Sequence, residues 1–210
     1  MQDLKGRFSP SLFLHAFGDL GLKILSSALK SNSSLMLLDL SGNRISDAGC
    51  STLSAALPSI SSLATLRLNG NRIGDKGCKA LATALPMLSS IGTLELHDNF
   101  IGAEGFAGLA ALSAALPSIS SLVTLRLSSN RIGDQGCKAL ATALPTLSSL
   151  GTLELHDNFI GAEGFTDLAS AFKAMPSLVS VRISNNRVRS QNSVVSLIKR
   201  SVPSSCAVDM

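Results

Sequence analysis

The chain contains no tryptophan and no tyrosine, and eight phenylalanines are its entire aromatic complement across 210 residues. Its core must therefore be built from Leu, Ile, Val and Ala, and a binding face anchored on Trp and Tyr, the common interface hot spots, is excluded. Charge is also scarce, at 15% of residues where about 25% is usual. With 45% hydrophobic residues, that is the reverse of a disordered composition, which needs low hydrophobicity and high charge. Lys and Arg exceed Asp and Glu by 18 to 14, a formal charge of +4, but the cations are spread along the chain. No Lys/Arg run marks a nucleic-acid or membrane patch, and neither partner is expected.

Paired cysteines are missing too. Cys50, Cys78, Cys137 and Cys206 include no C-x-x-C pair, so zinc and thioredoxin-like readings lack support and no metal or cofactor is expected. The first three each follow a glycine (Gly49, Gly77, Gly136) at one place in a repeating unit, as small buried apolar residues do. Free core thiols suit a reducing, cytoplasmic setting. A secretory leader is not expected: Lys5 and Arg7 precede the apolar Ser11–Phe17 run, but His15 interrupts it, Asp19 follows, and no cleavage pattern comes after. Phe106–Leu125 carries no charge, yet Pro117 and four serines break it and it aligns with ordinary repeat segments, so it is not read as a membrane span.

What the sequence does have is self-similarity. Asn43, Asn71, Asn99, Asn130, Asn158 and Asn186 are spaced by 28, 28, 31, 28 and 28 residues, each closing a segment of the form L-x-x-L-x-L-x-x-N. Leu63, Leu66, Leu68 and Asn71 make one instance; Leu150, Leu153, Leu155 and Asn158 make another. The Leu-x-Leu alternation has the period of a short half-exposed strand. Strands are predicted near 35–40, 63–68, 91–96, 122–127, 150–155 and 178–183. The Asn turns the chain, its amide satisfying backbone groups of a tight corner. Asp47, Asp75 and Asp134 then stand where an N-cap accepts free helix N–H groups. Leu81, Ala84 and Leu85 give an inward helical stripe, and Pro58, Pro86 and Pro145 stop the helices. A larger echo lies over this one: Ala56–Ala110 matches Ala115–Ala169 at an offset of 59, a duplicated two-repeat unit. The 31-residue spacing arises where one repeat reads LAALSAALP and its neighbours LATALP. The three added residues, nearly one helical turn, are expected on the helical side, leaving the strands undisturbed.

This pattern resembles the leucine-rich-repeat family, and within it the ribonuclease-inhibitor-like class with units of 28 or 29 residues. The resemblance runs from about Phe17 to Val188. It implies an α/β fold, a right-handed horseshoe solenoid with a concave parallel sheet and convex helices, and a non-catalytic protein-binding role. Residues 1–34 read as a degenerate partial repeat or cap with a strand near Ser11–Leu14, and 35–188 as the repeats. Residues 189–210 read as a C-terminal helix and last strand or cap. Relatives in the class include ribonuclease inhibitors, sensor regions of innate-immune receptors and Ran GTPase-activating proteins. A regulator of a small GTPase, or a fragment of an immune-type receptor, are thus the alternatives to a stand-alone scaffold. The basic balance and lack of an acidic tail fit the first poorly. A monomer is expected, with a protein partner of unknown identity.

Candidate partner-binding residues follow from position. Between the two close leucines of each unit stand Asp39, Arg67, Glu95, Arg126, Glu154 and Arg182, strictly alternating in sign. Parallel neighbours about 4.8 Å apart would make them either a self-neutralising ladder or a recognition stripe. Two positions on, His97 and His156 belong to a repeated E-x-H-D string that brings in Asp98 and Asp157. The two imidazoles are two repeats apart, roughly 10 Å by strand spacing, too far to share a metal, and no activated nucleophile stands beside either. Gly74–Gly77 and its three copies form G-x-x-G tetrads at strand-to-helix corners without a phosphate-loop Lys. Arg44, Arg72, Arg131 and Arg187 follow the repeat Asn, with Phe100 and Phe159 taking that place in the other units. Those rings either cover the core edge or stand exposed to an acidic partner.

Overall fold

The computed structural model describes residues 17–31, 34–102, 107–188 and 192–210. Seven strands form one parallel sheet in sequence order: β1 (Leu37–Asp39), β2 (Thr65–Arg67), β3 (Thr93–Glu95), β4 (Thr124–Arg126), β5 (Thr152–Glu154), β6 (Ser180–Arg182) and β7 (Ala207–Asp209). Each strand lasts only three residues because one buried side chain, Leu38 in β1 through Val181 in β6, is all that the period-two alternation turns inward. Register is one to one throughout, Leu38 on Leu66, Leu94 on Leu125. The sheet therefore crosses the 31-residue spacing without a slip. The expected strand near Ser11–Leu14 lies outside the described residues.

Helices return each strand to the next: α1 (Gly18–Leu29), α2 (Asp47–Ser54), α3 (Asp75–Ala84), α4 (Ala107–Ala115), α5 (Gly133–Ala143), α6 (Ala162–Phe172) and α7 (Asn192–Ser201). Pro58, Pro86, Pro117 and Pro145 each sit in a 3-10 turn that follows a helix at once or, at Pro58, after two residues, where a missing N–H is harmless. Helices need about 10 Å of width and strands about 4.8 Å, so the stack curves with the sheet inside. The result is an α/β leucine-rich-repeat solenoid. Its core is a continuous column of Leu and Ile, with Leu66, Leu125 and Leu153 fully buried. Each such side chain contributes about 1.5–3 kcal/mol by leaving water. Cys50, Cys78 and Cys137 lie in that column. Burial disfavours their thiolates, pushing the Cys78 thiol up to about 12 and the other two further.

Two polar ladders stitch neighbouring repeats. In the first, Asn71, Asn99, Asn130, Asn158 and Asn186 each bridge backward. The Asn71 Oδ1 accepts from the Asn43 and Ile45 amides at 3.0 and 2.9 Å, while its Nδ2 donates to the Leu40 and Leu68 carbonyls, both at 2.9 Å. The second ladder corrects the sequence reading of Asp47, Asp75 and Asp134. They do not cap their own helices. Asp47 Oδ1 accepts from Gly74 and Gly77 at 2.7 and 2.8 Å, at the start of α3 in the next repeat. Asp134 does the same for Gly161 and Gly164 at the start of α6, at 2.7 and 3.0 Å. Asp19 of α1 takes the Ser46 amide and hydroxyl at the start of α2. The close approach needs glycine: a Cβ on Gly77 would lie 2.6 Å from Asp47 Oδ1 and 3.1 Å from its Cα.

The 31-residue unit follows from this contact. Gly102, three residues past Asn99, donates to Asp75 Oδ1 at 3.1 Å, as Gly74, three past Asn71, donates to Asp47 Oδ1 at 2.7 Å. Gly108 takes the part of Gly77, donating to Asp75 Oδ1 at 3.2 Å, and from there the two units run in step to Leu116 and Leu85. The three added residues thus fall between Gly102 and Gly108 in the alignment of the two units. Gly105, read from sequence as the corner glycine, lies outside the described residues.

Candidate functional site

Residues one apart from the buried strand positions share the sheet's open face. Thr65, Thr93, Thr124 and Thr152 form one row and the alternating charges the next. The ladder has seven members, because β7 sets Asp209 beside Arg182. Arg67 lies 3.4 Å from both Asp39 and Glu95. Arg126 lies 3.1 Å from Glu95 and 3.3 Å from Glu154, and Arg182 lies 3.8 Å from Glu154 and 4.0 Å from Asp209. Every arginine of the row is held between two carboxylates. Glu95 is the most sheltered, its side chain 8% exposed, and the pairs loosen toward Asp209, 58% exposed. At Asp39 burial alone would raise the carboxyl pKa, but the Ser41 hydroxyl and amide and the Arg67 guanidinium together hold it below its ordinary 3.8. Its folded pKa is depressed, so the stability it contributes is present above 3.8 and is lost as pH falls through the folded value. Asp209 was legible in principle, since the alternation calls for an acid after Arg182.

The E-x-H-D string is taken apart by the fold. Glu95 is occupied by Arg67 and Arg126. His97 Nε2 stands 4.0 Å from Asp98, and Nδ1 of His97 and of His156 has no hydrogen-bond partner among the described residues. No carboxylate orients either imidazole through Nδ1, as an acid–base dyad requires. Asp98 and Asp157 have a backbone reason to be there. Their φ values of 54 and 56° are left-handed, and the same corner holds Gly42, Gly70, Ser129 and Asn185 at 51 to 66°. Asp, like Gly and Asn, tolerates that conformation. Among the described residues no cluster of three His, Cys, Asp or Glu could hold a metal ion, and no helix is long and apolar enough to cross a membrane.

Along the rim after the asparagines, Arg44, Arg72, Arg131 and Arg187 are exposed. Phe100 and Phe159 are 45% and 51% exposed, so they do not close the core edge. Each carries an arginine over its ring: Arg131 Cζ is 5.7 Å from the Phe100 centroid, and Arg187 Cζ 5.4 Å from that of Phe159.

Comparison with known proteins agrees with this architecture. The Leucine Rich repeat family model matches residues 31–54, 59–82 and 118–141. An internalin from Listeria monocytogenes superposes with a TM-score of 0.56 at 20% identity, over 86% of this chain and 49% of that one. The chain thus spans about half the length of that structure. The actin-binding site 2 of leiomodin-1 superposes with a TM-score of 0.51 at 16% identity, over 84% of this chain and 86% of that one. At such identities the likeness is one of fold. No curated protein matches the chain by sequence.

Proposed function

Because the chain is a leucine-rich-repeat solenoid, and such repeats generally serve as protein-interaction scaffolds, we propose that it is a non-catalytic scaffold that engages a protein partner on its sheet face. The observation that carries this reading is the ladder itself. Charges held on both sides are already ordered, so a partner meeting them loses little side-chain entropy, and the threonine row beside them leaves room for backbone contact. Internal neutralisation also means that the face offers specificity more than strong attraction. The 28-residue unit and the alternation of two unit types support the ribonuclease-inhibitor-like class. The buried thiols support a reducing compartment.

The test is an affinity capture from host lysate with the native chain and with Thr93→Trp/Thr152→Trp, which obstructs the face without touching the charges. Circular dichroism confirms that the variant folds. The expected outcome is a partner held by the native chain and lost by the variant. Partners retained equally by both would refute recognition on the sheet. If the captured protein is a small GTPase, its hydrolysis rate with and without the chain decides the regulatory alternative; actin, named for the leiomodin site, is probed in the same captures.

A further inference from the structure

We propose that the rim one residue past the repeat asparagines, Arg44, Arg72, Phe100, Arg131, Phe159 and Arg187, is a docking surface for an acidic protein segment, anchored on its two phenylalanine–arginine pairs. This surface stands apart from the sheet-face reading above and does not depend on it.

Charge is the first reason. The three arginines of the sheet face are each shared between two carboxylates, so they add little net charge to attract an acidic ligand. The four rim arginines are all exposed, and none of them takes part in an ion pair among the described residues. The rim therefore lines one edge of the stack with four arginines that no ion pair among the described residues neutralises.

The phenylalanines are the second. Both lie about half exposed beside a fully buried isoleucine, Ile101 and Ile160, so the core is closed without them. Phe159 further adopts a φ of +59°, a left-handed conformation that is unfavourable for a bulky residue. A half-exposed position that is strained in backbone is one where glycine or asparagine would serve the fold better. An exposed aromatic kept there matches what a contact surface needs. The guanidinium over each ring is held there by cation–π attraction. Its N–H edge is thereby left pre-oriented for a carboxylate, with the ring edge beside it for an apolar neighbour of that acid.

These details favour protein over nucleic acid. Single-strand binders stack bases on open aromatic faces, but here one face of each ring already carries an arginine. Asp98, in the corner two residues before Phe100, is well exposed, and Asp157 holds the same place before Phe159. Both would repel a phosphate backbone, whereas a peptide can set a neutral residue opposite them.

The experiment uses fluorescence anisotropy with the whole chain and three labelled probes: a Glu/Leu-rich synthetic peptide, its Lys-for-Glu counterpart, and a single-stranded oligo-dT. The native chain should bind the acidic peptide, more weakly as salt rises, and leave the other two. Phe100→Ala/Phe159→Gly and Arg131→Gln/Arg187→Gln should each weaken binding by about ten-fold or more. Thr93→Trp/Thr152→Trp should bind as the native chain does, which separates this site from the sheet face. The single variant Phe159→Gly should melt at or above the native temperature. The proposal is overturned if the acidic peptide does not bind, if the rim variants bind it unchanged, or if oligo-dT or the basic peptide binds as well. A marked fall in melting temperature for Phe159→Gly would make the ring a packing residue and overturn it equally.

Discussion

Asn99 Nδ2 donates to the carbonyls of Leu68, Leu96 and His97 at 3.0, 3.1 and 3.2 Å, and its Oδ1 accepts from the Ile73 amide at 3.0 Å. One side chain thus serves backbone groups of two repeats, and it is 5% exposed, so water cannot stand in for it. Asn99→Ala should cost roughly 2–4 kcal/mol, because buried backbone groups lose their partners together. Urea unfolding followed by circular dichroism measures it, and a loss under about 1 kcal/mol would contradict the bridging role. The corner function of this residue was legible in the sequence from its recurrence after each strand. The bridge to the preceding repeat was not, since periodicity describes one unit and the Oδ1 acceptor acts between two. Asp98 and Asp157 stand beside a histidine in sequence, and the left-handed φ at that corner gives them a backbone role that the sequence did not show.

At the scale of the element, a helix in this chain is begun by the repeat before it. Asp134 lies in the first turn of α5 yet binds the amides that open α6, and Gly164 leaves the space for it. Asp134→Ala should cost about 1–2 kcal/mol, as loss of an N-cap does. Gly164→Ala should cost at least as much, since its Cβ would fall 2.7 Å from the Asp134 carboxylate. The double variant should cost clearly less than the sum, because both changes break one contact; strict additivity in denaturant titrations would show the two residues to be independent. Sequence heuristics place a capping acid just ahead of its own helix, and Asp47, Asp75 and Asp134 stand near enough to invite that reading. The solenoid wins because stacking brings the preceding aspartate closer to the free N–H groups than the local chain does. The same contact sets Gly108 of the longest repeat against Asp75 of the one before it.

In the whole molecule, each repeat touches its neighbours alone, so stability accumulates along the stack and depends on position. The middle strands have a partner on each side, while β7 pairs only with β6 and carries partly exposed residues. Native-state hydrogen exchange should therefore show the strongest protection at the Leu94 and Leu125 amides and a graded decline toward Val208. Uniform protection across the sheet would instead mean that the array unfolds as one unit. The ion-pair ladder follows the same gradient, tight at Glu95 and loose at Asp209.

The sequence by itself determined the repeat, the strand positions, the parallel register and the alternation of charge along the sheet. These all follow from residue spacing, and identical spacing in successive units leaves one way to stack them. Tertiary structure alone decided which groups remain free to act. Whether an arginine is neutralised by two carboxylates or stands alone on a rim depends on what the neighbouring repeat brings beside it. So does whether an aspartate caps its own helix or the next, and whether a phenylalanine closes the core or faces water. Those contacts join residues about one repeat apart, and only the stacking of the units sets their distances.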